Sequence, residues 1–150
     1  MSGDSDLINL YSGRILELAA DIPHLGHLDR PCGVAKRRSP LCGSTVTAEV
    51  VIRDGKIQEF AQDVKACALG QASASVVGAH VIGCSREQIE RARDQLSAML
   101  KENGPVPEAP FDGLEVLLPA RDFRNRHASI MLALEATLDA FDQAAKSACA

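Results

Sequence analysis

An α+β fold, with a small three-stranded and mainly antiparallel sheet covered on one face by helices, is predicted by three features of the sequence. Thr45 to Arg53 alternates apolar Val46, Ala48, Val50 and Ile52 with Thr45, Thr47, Glu49 and Arg53, as a strand with one buried face requires. Asp54-Gly55 comes next, a two-residue connection suited to a type I′ turn, and Lys56 to about Lys65 reads as the returning strand. Segments with helical apolar spacing lie on both sides of this hairpin, so the chain runs helix, short strands, then helices.

The opening helix spans about Asp6 to Ala20, with Leu7, Leu10, Tyr11, Ile15 and Leu18 on one face and Ser5 as N-cap. Pro23, Gly26, Pro31 and Gly33 punctuate a loop, after which Cys32 to Ser39 forms an edge strand carrying Lys36-Arg37-Arg38. Beyond the hairpin, Cys67 closes the second strand and opens a helix of small residues from Ala68 to about Ile82. Ser85 and Gln88 have the spacing of a capping box for a helix from Arg86 to Lys101, buried along Ile89, Ala92, Leu96, Met99 and Leu100. Asn103 to Pro110, with three prolines and a glycine, is a loop inside one domain covering residues 1–150, because the stretch after it is too short to fold alone. The last helix starts near Pro119 or Asp122, with His127, Ile130, Met131, Leu134, Leu138 and Phe141 on one face, and Lys146 to Ala150 is a frayed tail.

Composition excludes several classes of function. A formal charge of −4 and the lack of interleaved basic and aromatic residues argue against a nucleic-acid surface, which needs phosphate neutralisation and stacking platforms. No apolar run approaches the roughly 20 residues that span a bilayer, and Asp4 and Asp6, without a basic flank, do not read as a signal peptide. A cytoplasmic location is expected, with no membrane partner. Five cysteines, an odd number at irregular spacing, suit reduced thiols rather than a disulfide framework, so most should be free.

Two of these cysteines bracket the hairpin. Cys42, in Ser39-Pro40-Leu41-Cys42-Gly43-Ser44, and Cys67, in Lys65-Ala66-Cys67-Ala68-Leu69-Gly70, fall at the same open end of the sheet. Gly43 is expected to expose backbone amides to a bound sulfide or anion beside a mobile Cys42 thiolate. Cys67 stands where a helix begins, and the positive end of that helix suits a ligand or nucleophile. His127, taken alone, is a histidine heading an apolar stripe, more often a core residue than a ligand. Ser44 has a hydroxyl that is neutral at pH 7 and more suited to capping a turn than to binding a metal. Cys32, Cys84 and Cys149 match no motif and read as packing or surface thiols, with Cys32 able to approach the site across the sheet.

The sequence resembles the NifU/IscU-type family of iron–sulfur cluster assembly scaffolds. The likeness is carried in order by Tyr11 and Ile15-Leu16-Glu17-Leu18-Ala19, Asp21-Ile22-Pro23-His24-Leu25-Gly26, Pro40-Leu41-Cys42-Gly43, the Asp54-Gly55 hairpin, the Cys67-to-Ser73 run and His127-Ala128-Ser129-Ile130. The resemblance implies the SufE/NifU fold and a non-enzymatic scaffold or carrier. It would hold iron, zinc or a transient [2Fe–2S] cluster, take sulfur from a cysteine desulfurase and pass clusters to apo-proteins, and it is expected to be open to homo-oligomer formation.

Carried over residue by residue, Cys42 and Cys67 match the family's first two cysteines. The family's Cys-Gly-Asp reads Cys42-Gly43-Ser44, and its His-Cys-Ser reads His127-Ala128-Ser129, so two usual ligands are replaced. Against the Arg-x-x-Cys-Ala segment of the SufU-like branch, Arg124-Asn125-Arg126-His127-Ala128 places His127 on the missing cysteine. The expected metal and cluster ligands are therefore Cys42, Cys67 and His127. There is no catalytic residue, and Cys42 is the candidate persulfide acceptor. The chaperone-recognition segment Leu-Pro-Pro-Val-Lys is replaced by Leu117-Leu118-Pro119-Ala120-Arg121, which removes the basis for delivery by the usual chaperone.

A protein-held [2Fe–2S] cluster takes four donors. Three leave the fourth to water, a partner's thiol, a second subunit or Cys32. Three also suit a tetrahedral zinc with one exchangeable position. The alternatives to a scaffold are a zinc-dependent SufU-like sulfur acceptor and a degenerate adaptor without metal chemistry.

Overall fold

The type I′ turn expected at Asp54-Gly55 is present in the computed structural model, which describes residues 11–147. Both turn residues have positive φ, 56° and 75°, the backbone that this turn demands and that glycine adopts without a Cβ clash. The turn joins β2 (Thr45–Arg53) to β3 (Lys56–Lys65), and β1 (Gly33–Arg38) pairs with β2, giving the antiparallel order β1-β2-β3. A shift in register between Val51 and Ile52 places a bulge near the turn and leaves the far end of the hairpin regular.

The helices are α1 (Gly13–Ala20), α2 (Ala68–His80), α3 (Arg86–Lys101) and α4 (Arg124–Ala145), with a 3-10 segment over Asp112–Asp122. Ser12 caps α1 by accepting from the Ile15 N–H; the expected beginning at Asp6 and the Ser5 cap lie outside the described residues. The capping box of Ser85 and Gln88 forms as the spacing requires. α4 lies across β1 and β2, flanked by α2 and α3, so the helices occupy one face of the sheet. Ile130, Leu134, Leu138 and Phe141 of α4 meet Val46, Ala48 and Val50 of the sheet in one contiguous apolar cluster, each large side chain contributing roughly 1.5–3 kcal/mol by leaving water.

Three differences from the sequence reading have physical causes. The last helix begins at Arg124 rather than near Pro119 or Asp122, because Pro119 sits within a 3-10 segment that closes at Phe123. The polar face of β2 is not wholly open: Glu49 is buried, since the turn after α1 folds over it and supplies His27 and the Leu28 N–H as partners. Cys32 is disulfide-bonded, whereas Cys42, Cys67 and Cys84 are free; an odd number of cysteines does not exclude one pairing.

Candidate functional site

The sheet register sets where the two site cysteines fall. Arg38, Thr45 and Lys65 are cross-strand neighbours at one end of the sheet. From that row the β1–β2 loop departs with Cys42 at its exposed tip, and two residues beyond Lys65, Cys67 is the N-cap of α2. Distance along the chain is thus removed by the hairpin, as the sequence suggested.

The loop is closed by its own backbone. The Ser39 N–H donates to the Ser44 carbonyl at 2.8 Å and the Gly43 N–H to the Ser39 carbonyl at 3.0 Å, with Gly43 at φ +71°. The Gly43 amide is therefore engaged within the loop and not presented to a ligand, contrary to expectation. What the loop presents is hydroxyls. Cys42 Sγ lies 3.4 Å from Ser39 Oγ and 3.0 Å from Ser44 Oγ.

These hydroxyls connect Cys42 to Cys67. The buried Ser129 hydroxyl of α4 donates to Ser44 Oγ at 3.2 Å and lies 3.5 Å from Cys67 Sγ. Two thiols of one rim are thereby linked through two serines. The approach of α4 to α2 depends on Gly70, where a Cβ would stand 2.6 Å from Ser129 Oγ and 2.9 Å from the Ala66 Cβ. Hydrogen bonds from Ser39, then from the side chain and backbone of Ser44, and last from Ser129, favour the Cys42 thiolate over a small opposing effect of burial and bring its pKa down to about 7.

His127 is not brought to the thiols. Residues two apart on a helix differ by about 200° in direction, so with Ser129 facing the cysteines His127 faces away. Its buried ring places Nε2 2.9 Å from the Ala120 carbonyl of the 3-10 segment. On that side it borders a cavity of about 540 Å³ with Lys101, Arg121 and Arg124. The expected trio of Cys42, Cys67 and His127 does not assemble, and among the described residues no group of three or more His, Cys, Asp or Glu side chains is arranged to hold a metal ion. Cys32 is also remote: its N–H bonds the Val50 carbonyl at 2.8 Å, toward the other end of β2. Cys84 is a buried packing thiol donating to the His80 carbonyl, and burial pushes its pKa up. Cys149 lies outside the described residues.

Ser44 and Ser129 are the site residues that sequence reasoning undervalued. The signal was available for Ser129, since the helical step from His127 puts the two on opposite faces. For Ser44 there was none beyond adjacency to Cys42. Of the basic groups, Arg37 pairs with Asp139 and Arg121 donates to the carbonyls of Met99 and Gly104, whereas Arg38 and Lys65 are exposed at the cysteine end with no ion-pair partner among the described residues.

No family model matches the chain. It is 26% identical over 143 residues, 95% of its length and 89% of the relative's, to the iron–sulfur cluster assembly scaffold protein IscU of Streptococcus pyogenes serotype M1. The crystal structure of a nitrogen-fixing NifU-like protein, N-terminal part, from Brucella abortus superposes with a TM-score of 0.92 at 45% identity, covering 95% of this chain and 99% of that one. The fold is shared with a SufU scaffold protein from Fervidobacterium islandicum AW-1, TM-score 0.78 at 18% identity, over 89% of this chain and 98% of that one. Sharing 45% of its residues with the NifU-like structure and the fold over nearly its whole length, the chain belongs to the NifU/IscU-type family of iron–sulfur cluster assembly scaffold proteins.

Proposed function

We propose that this protein is a non-enzymatic carrier in iron–sulfur cluster assembly: Cys42 and Cys67 take up iron or a transient [2Fe–2S] cluster together with sulfur, and release them to apo-proteins. The observation that carries this reading is the convergence of the two thiols at one rim, linked through Ser44 and Ser129. Thiolates are the soft donors that iron–sulfur chemistry selects. With two rather than four in one chain, the cargo is held weakly enough to be passed on. The partners of this reading are a cysteine desulfurase and apo client proteins, in the cytoplasm. Anaerobic reconstitution with iron and sulfide tests it: visible absorption should develop in the wild type and fail in Cys42→Ser and Cys67→Ser. A wild type that develops none would remove the carrier role and leave the adaptor reading.

The exposed Cys42, with its pKa near 7, favours a second reading as a sulfur acceptor. Its thiolate attacks the outer sulfur of a desulfurase persulfide, a new S–S bond forms at Cys42, and the desulfurase thiolate leaves. No third donor stands beside the pair among the described residues, so this acceptor does not require zinc. Mass spectrometry after desulfurase turnover should find one added sulfur on Cys42; an unmodified Cys42 would exclude the acceptor role.

A further inference from the structure

Resting on the carrier reading above, the donor count inside one chain leads to a second copy. A [2Fe–2S] cluster takes four protein donors, and one rim holds two thiols. The other candidates in the chain are accounted for. His127 is turned to Ala120 behind α4, Cys32 is disulfide-bonded near the other end of β2, and Cys84 is buried against His80. The hydroxyls of Ser44 and Ser129 are neutral oxygen donors, buried and already bonded to each other, and are poor partners for iron beside thiolates.

We propose that a [2Fe–2S] cargo is held between two copies of this chain, each contributing Cys42 and Cys67, and that the cargo itself brings the copies together. A two-fold arrangement presents the same rim from both sides and supplies four thiolates. Cys42 is at an exposed loop tip, and Leu41 beside it is 73% exposed, leaving an uncovered apolar contact at the same place. Charge decides when the copies meet. Arg38 and Lys65 flank the loop at the cross-strand row with Thr45, exposed and without ion-pair partners among the described residues, so two empty rims repel. An oxidised [2Fe–2S] cluster with four thiolates is a dianion and cancels that repulsion. At physiological salt the effect is confined to roughly 8 Å, the scale of the rim.

Sedimentation velocity of the full chain before and after anaerobic reconstitution with iron and sulfide, monitored at a visible wavelength, tests this. The empty chain should sediment near its 16.0 kDa mass. All visible absorbance should move at twice that mass with one iron and one sulfide per chain, and stripping iron with a chelator should return the single chain. Cys42→Ser and Cys67→Ser should give neither absorbance nor doubling, while Arg38→Glu, outside the thiol set, should permit some doubling without cargo. A visible cluster on the single chain with two irons would overturn the bridging arrangement while leaving the carrier reading intact. An empty wild type that is already a stable dimer would overturn the charge gating. No absorbance under any condition would remove the carrier reading, and the bridge with it.

Discussion

Ser129 of the last helix and Ser44 of the β1–β2 loop, 85 residues apart, meet hydroxyl to hydroxyl at 3.2 Å, and each reaches one of the two cysteines of the rim. This contact joins three separate pieces of chain: the loop that carries Cys42, the start of α2 that carries Cys67, and α4. Its consequence is an ionised and oriented Cys42 at the surface, without any positively charged neighbour being required.

The thiolate should therefore depend on hydroxyls. In wild type the alkylation rate of Cys42, tracked by mass spectrometry so that Cys67 and Cys84 do not contribute, should rise with pH through a midpoint near 7. Replacing both Ser39 and Ser44 by alanine should move the midpoint toward the ordinary thiol value of about 8.5 and slow alkylation at pH 7 by roughly tenfold. An unchanged midpoint would assign the depressed value to some other cause.

Gly70 allows α2 and α4 to come close enough for Ser129 to reach Cys67. Gly70→Ala would place a Cβ 2.6 Å from Ser129 Oγ and 3.2 Å from its carbonyl oxygen, and should cost about 1–3 kcal/mol in urea unfolding as the helices separate. Gly13→Ala is the matched comparison, at a helical position with nothing within 4 Å, and should be neutral or stabilising by up to about 1 kcal/mol. Equal effects of the two substitutions would show that the close approach at Gly70 has no energetic weight.

The hairpin and the capping box were legible because each rests on local chemistry: Asp54-Gly55 suits positive φ at both positions, and Ser85 and Gln88 satisfy one another's backbone across one helical turn. The pairing of Cys42 with Cys67 was legible for the same reason, since the hairpin alone brings its two ends together. His127 was misplaced because the direction of a helical side chain depends on how the helix is rotated against the sheet, which the apolar stripe defines only loosely when both sides of α4 are buried. Burial of Glu49 was hidden because it requires a loop from more than twenty residues away to fold over the sheet.

His127 should then behave as a structural residue. Its imidazole joins α4 to the 3-10 segment through Ala120, and His127→Ala, which empties a buried site and leaves that carbonyl without its partner, should destabilise by about 2–4 kcal/mol. At temperatures where the variant is folded, its visible absorption after reconstitution should match wild type, as should the alkylation profile of Cys42. A loss of absorption in folded protein would restore His127 to the ligand set.

The turn that covers Glu49 should respond to pH. His27 Nδ1 lies 2.5 Å from Glu49 Oε2, and the hydrogen bond and charge of Glu49 raise the His27 pKa above its ordinary value. A histidine whose folded-state pKa is raised adds stability that is fully present below its unfolded pKa of about 6.5 and is lost as pH rises through the higher folded value. Glu49→Gln keeps an acceptor for the Leu28 N–H, bonded at 3.0 Å in wild type, but removes the charge. The stability difference between wild type and Glu49→Gln, measured by urea unfolding across about pH 5.5 to 8.5, should be largest at the acidic end and shrink as His27 deprotonates. The same comparison in a His27→Ala background should lose that pH dependence, because the proton responsible is gone. A difference that stays constant with pH in the presence of His27 would mean that Glu49 acts only through the Leu28 amide.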